Sequence, residues 1–188
     1  MGTSTVETMA DRDAVEVGGQ AARASAFRAL ADEHLDASYG LAQAILGQRA
    51  EAEDATHDAF VTAWGKWSTL RDPALFERWF DRILVNTCRN RMRHTSRWRT
   101  QDLTTELEIS GSDAYGPMHD RGLLWPAMAR LGPDQRVVLA LRFYRDLSID
   151  QIAARLDVRA GTVKSRLHRA LRELRTALDQ ADPQRTLR

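Results

Sequence analysis

Residues 148–175 read SIDQIAARLDVRAGTVKSRLHRALRELR, and the organisation of the whole chain follows from how this stretch must fold. Ser148 and Gln151 have the spacing of a capping box, in which each side chain satisfies a free N–H at the start of a helix. The helix they open runs to Leu156. A turn over residues 157–161 follows, then a long helix from Thr162 to about Leu178. Two helices this close cross tightly only where a small residue lets them approach, and Ala153 is that residue. Ile149, Ile152, Leu156, Val158, Val163 and Leu167 supply the shared core. Asp157 takes the turn position often filled by glycine, and aspartate tolerates the left-handed backbone needed there. The pattern is a helix-turn-helix. Its second helix turns Val163, Leu167, Leu171 and Leu174 inward and leaves Lys164, Ser165, His168, Arg169 and Arg172 on the surface. In the major groove, arginine and lysine bond guanine edges, while serine and threonine hold phosphates.

Working back toward the N-terminus, the helical period persists. Residues 121–131 carry it up to Gly132-Pro133, and it resumes from Asp134 to Tyr144. Residues 98–120 lose it and contain Ser110-Gly111-Ser112 and Gly116-Pro117, the composition of a linker. Asp72-Pro73 is a helix start, an N-cap carboxylate followed by proline at the first helical position. The helix it opens runs to about Arg97, with Phe76, Phe80, Ile83, Leu84, Thr87 and Cys88 inward and Arg78, Arg82, Arg89 and Arg93 outward. Before it, residues 50–67 form an amphipathic helix with Ala52, Ala55, Ala59, Phe60, Ala63, Trp64 and Trp67 on one face and Glu51, Asp54 and Asp58 on the other. An earlier stripe of Phe27, Leu30, Leu35, Leu41, Ala42 and Ile45 ends at Gly47, and residues 1–24 show no apolar period. No segment has sustained strand alternation. The expected fold is all-α, with two small helical domains joined by a flexible acidic linker.

Composition narrows the function classes. Cys88 is the sole cysteine, so an intrachain disulfide and a thiolate zinc cluster are both excluded. The five histidines are scattered, with no HExxH pair. No apolar run approaches the roughly eighteen residues of a membrane span. The N-terminus has no basic segment followed by an apolar one, so a cytoplasmic protein is expected. Net charge is only +1, but it is distributed in blocks. Residues 32–58 carry seven acids against Arg49, and residues 82–99 carry six arginines and no acid. Residues 101–120 hold five acids and no base, and residues 155–175 hold seven bases against Asp157 and Glu173. Two of these blocks suit phosphates, and the others suit different partners. Glu106 and Glu108 pair two carboxylates, but with no metal ligand or base beside them they make no catalytic site. Neither an enzyme nor a metal or cofactor site is expected.

Residues 139–174, above all Asp150-Gln151-Ile152-Ala153 and Gly161-Thr162-Val163-Lys164-Ser165-Arg166-Leu167, resemble region 4 of the extracytoplasmic-function sigma factors of bacterial RNA polymerase. Asp150 stands where glutamate is typical. In the N-terminal half, Ala52-Glu53-Asp54-Ala55-Thr56-His57-Asp58-Ala59-Phe60 through Ala63-Trp64 resembles region 2.2, with His57 where most members have glutamine. Arg78-Trp79-Phe80 through Val85-Asn86-Thr87-Cys88-Arg89-Asn90 resembles regions 2.3 and 2.4. The resemblance implies a division into a disordered tail (1–24), region 2 (25–97), a linker (98–120), region 4 (121–180) and a C-terminal tail (181–188).

The resemblance also implies roles. Arg159, Thr162, Lys164, Ser165, Arg166, His168 and Arg169 would contact the −35 element. Trp79, Asn86, Arg89, Asn90 and Arg93 would bind the −10 element. Asp54, His57, Asp58, Phe60 and Trp64 would dock on core polymerase. The implied partners are core RNA polymerase, through its β′ clamp and β flap, promoter DNA, and an anti-sigma factor of the kind common in the family. An alternative is a stand-alone helix-turn-helix regulator that binds an operator as a dimer, which leaves residues 50–93 without a purpose.

Overall fold

The computed structural model describes residues 4–101 and 118–181, with side chains over 20–94 and 124–181. Helix α1 spans Ser4–Leu46, α2 Arg49–Lys66, α3 Phe76–Gln101, α4 Met118–Ala129, α5 Pro133–Phe143, α6 Ile149–Leu156 and α7 Ala160–Ala181. Two 3-10 turns, Trp67–Thr69 and Pro73–Leu75, join α2 to α3. No strand occurs among the described residues, so the all-α expectation holds. The linker expected over 98–120 falls for the most part outside the described residues. At the N-terminus α1 begins at Ser4, within the stretch read from the sequence as a tail. That stretch lacks an apolar stripe, but five alanines fall within residues 4–24, and alanine favours helix without a packing face.

Helices α1, α2 and α3 pack on one another as the first unit. Gly47 ends α1 in the left-handed region (φ 78°), letting the chain reverse into α2. Four alanines of α2 (Ala52, Ala55, Ala59 and Ala63) are fully buried, so α2 lies close against its neighbours. The space between helices is filled by aromatic rings. Phe60 stacks on Phe80 at 4.3 Å, and Phe76 meets Phe80 at 5.5 Å and Trp67 at 6.1 Å. Three side chains read as inward are not. Leu35 is 45% exposed, Trp64 46% and Leu171 42%, since each lies at the border of its stripe, where a helix turns away from its neighbours. Trp64 makes an edge contact with Phe27, at 5.2 Å.

The second unit is α4 to α7. Ser148 accepts from the Gln151 N–H at 3.3 Å while the Gln151 side chain accepts from the Ser148 N–H at 2.8 Å, the reciprocal cap read from the sequence. Asp157 ends α6 in the left-handed region (φ 56°, ψ 48°). Ile152 and Val163 are fully buried beneath Ala153. The helix-turn-helix therefore forms as its residue pattern requires.

The two units also pack on each other, through α1 and α3 against α5 and α6. Buried Asp81 of α3 is held there by two arginines of the second unit, Arg145 at 2.8 Å and Arg155 at 2.9 Å. Glu77, one turn earlier, lies 3.5 Å and 3.4 Å from the same two arginines. Burial pushes the Asp81 carboxyl above its ordinary range, and Arg145 and Arg155 pull it back.

Candidate nucleic-acid and polymerase interfaces

Three faces carry the residues singled out above. On α2, Asp54, His57 and Asp58 are exposed on the side away from the alanine seam. The two aspartates have a charge partner within the chain. Arg91 of α3 reaches across to Asp58 at 2.5 Å, Glu51 at 3.2 Å and Asp54 at 3.4 Å. Burial disfavours the Arg91 charge, but its bonds to Asp58 and Glu51 raise its pKa overall. Phe60 is half-buried against Phe80, so it fixes α2 on α3 more than it offers surface, while half-exposed Trp64 extends the face.

On α3, Asn86, Asn90 and Arg93 project to solvent at three- and four-residue steps, one stripe along the helix. Trp79 is half-buried between Phe76 (5.9 Å) and Trp67 (6.4 Å), so part of one ring face is anchored in the core. Arg89 departs from its neighbours. Its side chain is only 12% exposed, and its Nε lies 2.9 Å from Asp134 at the start of α5. Burial lowers the Arg89 pKa and Asp134 opposes that, with Arg166 and Arg93 adding to the lowering.

On α7, Lys164, Ser165, His168 and Arg169 are exposed over the first turns, with Arg159 exposed just before the helix. Ser165 donates to the Thr162 carbonyl at 3.0 Å, and Thr162 is half-buried. Arg166 turns back and pairs with Asp134 at 2.8 Å. The result is a cationic ridge at the N-terminal end of a recognition helix, where side chains meet base edges in groove-binding helices. None of the three faces pairs a nucleophile with a base, and no cluster of metal-ligating side chains occurs among the described residues.

The sequence reading missed the groups that join the units, namely Asp81, Asp134, Arg145 and Arg155, together with Arg91. A signal for one of them was present. Glu77 and Asp81 are four residues apart on α3, a like-charge spacing that is unfavourable unless a cation from elsewhere approaches.

Comparison with known proteins bears on all three faces at once. Residues 30–98 match the family described as sigma-70 region 2, and residues 127–176 match sigma-70, region 4. The chain is 35% identical over 152 residues to the RNA polymerase sigma-E factor of Streptomyces coelicolor, covering 78% of this chain and 82% of that protein. It is 34% identical over 168 residues to the ECF RNA polymerase sigma factor SigL of Mycobacterium tuberculosis, covering 87% and 94%. Among solved structures, the sigma factor RpoE bound to the anti-sigma factor NepR from Bartonella quintana shares the fold (TM-score 0.65, 24% identity, 81% of this chain and 96% of that one). CnrH in complex with the cytosolic domain of CnrY is similar at 26% identity, with a TM-score of 0.57 over 85% of this chain and 96% of that one. With both regions present in order and relatives matched over most of their length, the chain belongs to the extracytoplasmic-function sigma factors, the non-enzymatic subunits that direct promoter recognition and transcription initiation.

Proposed function

We propose that this sigma factor divides its task among the three faces. The acidic face of α2, with Asp54, His57, Asp58 and Trp64, docks on the coiled coil of the polymerase β′ clamp, and Phe60 holds that helix in place from behind. The α3 stripe of Asn86, Asn90 and Arg93, with Arg89 and Trp79, takes the −10 element. The α7 ridge of Lys164, Ser165, His168 and Arg169, with Arg159, Thr162 and Arg166 at its margins, takes the −35 element, while the same unit meets the β flap. The observation that carries this reading is the pairing of a helix-turn-helix whose cap and left-handed turn both form with exposed cations on its second helix. The work is binding throughout. Holding the polymerase at a sequence and stabilising unpaired bases need no chemistry of the chain's own.

The site of action is the cytoplasm, where promoter and polymerase meet. An anti-sigma factor is a further partner of this chain, a reading supported by its likeness to CnrH, which is solved with the cytosolic domain of CnrY. The free chain should bind promoter duplex weakly and bind tightly only with core polymerase, because each cationic face is small and phosphate contacts set non-specific affinity. A mobility-shift assay at physiological salt checks this. Nanomolar, sequence-specific binding by the chain alone would favour the operator-binding dimer instead.

A further inference from the structure

The docking face of α2 and the DNA-reading stripe of α3 meet at one side chain, Arg91. Its Nη1 lies 3.2 Å from Glu51 and 3.4 Å from Asp54, and its Nη2 lies 2.5 Å from Asp58. The three acids stand at three- and four-residue steps, so they form one row along α2. Within this cluster three carboxylates face one guanidinium, an excess of two negative charges. The acids are also its outer layer. Their side chains are 41% to 68% exposed against 25% for Arg91, so a cation arriving from solvent meets carboxylates first and Arg91 behind them.

On its own helix Arg91 borders the stripe. Asn90 and Arg93, on either side of it in sequence, are exposed members of the proposed −10 surface. His94, exposed as well, is three residues on and so adjoins Arg91 on the helix surface. A long side chain at such a border has some staggered rotamers directed toward α2 and others directed along the stripe. Arginine suits either end, since its planar fork pairs with carboxylates and with phosphates alike. The acids hold it on the α2 side. A second cation brought onto the same carboxylates repels Arg91 and competes for their oxygens.

Given the clamp-docking and −10-reading roles proposed above, on which this inference rests, we propose that Arg91 is a cation shared between the two faces. The Glu51, Asp54 and Asp58 row withholds it from DNA in the chain alone. A basic partner seated on that row releases it to a phosphate of the −10 strand. Docking on polymerase therefore adds one phosphate contact to a stripe that already carries Arg93. The coupling runs both ways by linkage, so DNA that takes Arg91 leaves the row more negative and strengthens docking.

Two experiments on the full chain test this, each at a temperature where circular dichroism shows every variant folded. Arg91→Met keeps the stem and removes the charge, and Arg91→Lys keeps the charge. A neutral row combines Glu51→Gln, Asp54→Asn and Asp58→Asn. The first experiment reads the DNA side without polymerase, by fluorescence anisotropy of a labelled single-stranded oligodeoxynucleotide of mixed sequence at low salt. With the acidic row intact, Arg91→Met should change affinity by less than about twofold. In the neutral-row background it should weaken binding by about threefold or more and reduce the salt slope by about 0.7, one phosphate contact on a single strand, while Arg91→Lys should preserve both. Equal effects of Arg91→Met in the two backgrounds overturn the proposal, because the row then withholds nothing. The second experiment is stopped-flow association with core polymerase. Arg91→Met leaves the row one charge more negative, so association should quicken by about two- to fivefold at low salt and become more salt-dependent. A purely structural role would slow it instead. Slower or unchanged association in Arg91→Met, while the neutral row still impairs docking, overturns the release by polymerase. If the DNA coupling is present and neither Arg91→Met nor the neutral row alters association, the clamp-facing role of α2 has failed and the withholding of Arg91 has not.

Discussion

Reversing Asp54 and Asp58 to arginine would look harmless from the sequence, since both lie on the exposed face of α2 opposite the apolar stripe. The structure changes that expectation. Arg91 is anchored by Asp58, Glu51 and Asp54, and the double reversal removes two of these carboxylates and sets two cations against it. Those carboxylates are between 41% and 68% exposed, so each pair is worth no more than the ~0.2–1 kcal/mol of a surface ion pair. Two lost pairs and a repulsion of similar size sum to about 1–3 kcal/mol. At roughly 4–8 °C per kcal/mol for a unit of this size, the melting temperature of region 2 should fall by about 4–24 °C. Asp54→Asn with Asp58→Asn loses the attraction without adding repulsion, so its melt should fall by about half as much. Thermal melts by circular dichroism measure both, and gel filtration with core polymerase measures docking. Both variants should remain folded at 25 °C, and the reversal should not co-elute with core. A reversal that melts at the wild-type temperature refutes the anchoring of Arg91. A folded reversal that co-elutes and transcribes normally refutes the clamp-facing role of α2.

Two further outcomes follow from other parts of the molecule. Lys164→Ala or Arg169→Ala should weaken initiation from a −35-dependent promoter by about ten- to a hundredfold, the effect of roughly 1–3 kcal/mol per lost base contact, and spare an extended −10 template; equal losses on the two templates would assign these residues to folding or general phosphate binding. Cys88 is buried, and that burial pushes its thiol up to about 12 against the opposing pull of Arg91, so the reactive thiolate is absent at pH 8. Iodoacetamide should leave the folded chain unmodified at pH 8 and alkylate it promptly in denaturant, with rapid native-state labelling as the contrary result.

The helix-turn-helix was legible because every signal in it is local. The Ser148–Gln151 box, the small Ala153, the left-handed Asp157 and the apolar spacing each constrain a few neighbouring residues, and they agree with one another. The α3 stripe was legible for the same reason. What the sequence did not show is where charged residues at stripe borders go. Arg89 reads as one more exposed arginine, yet it is mostly covered, because its partner Asp134 comes from 45 positions away in another unit. Arg91 and Asp81 likewise find partners on other helices, and no periodicity within one helix specifies them. Trp64 and Leu35 fall at the edges of their stripes, where a small rotation of the helix decides between core and solvent. Residues 1–24 read as tail because they lack an apolar face, and such a face is not needed for α1 to begin at Ser4.

The most direct measurement is reconstitution of the purified chain with core RNA polymerase on a library of promoter fragments, followed by sequencing of the transcript starts. The expected result is initiation above core alone at a defined set of sites that share two motifs about one promoter spacing apart, lost when Asn86, Asn90 and Arg93 or Lys164 and Arg169 are replaced by alanine. Starts indistinguishable from those of core polymerase alone, or an unchanged set after both groups of replacements, would contradict it.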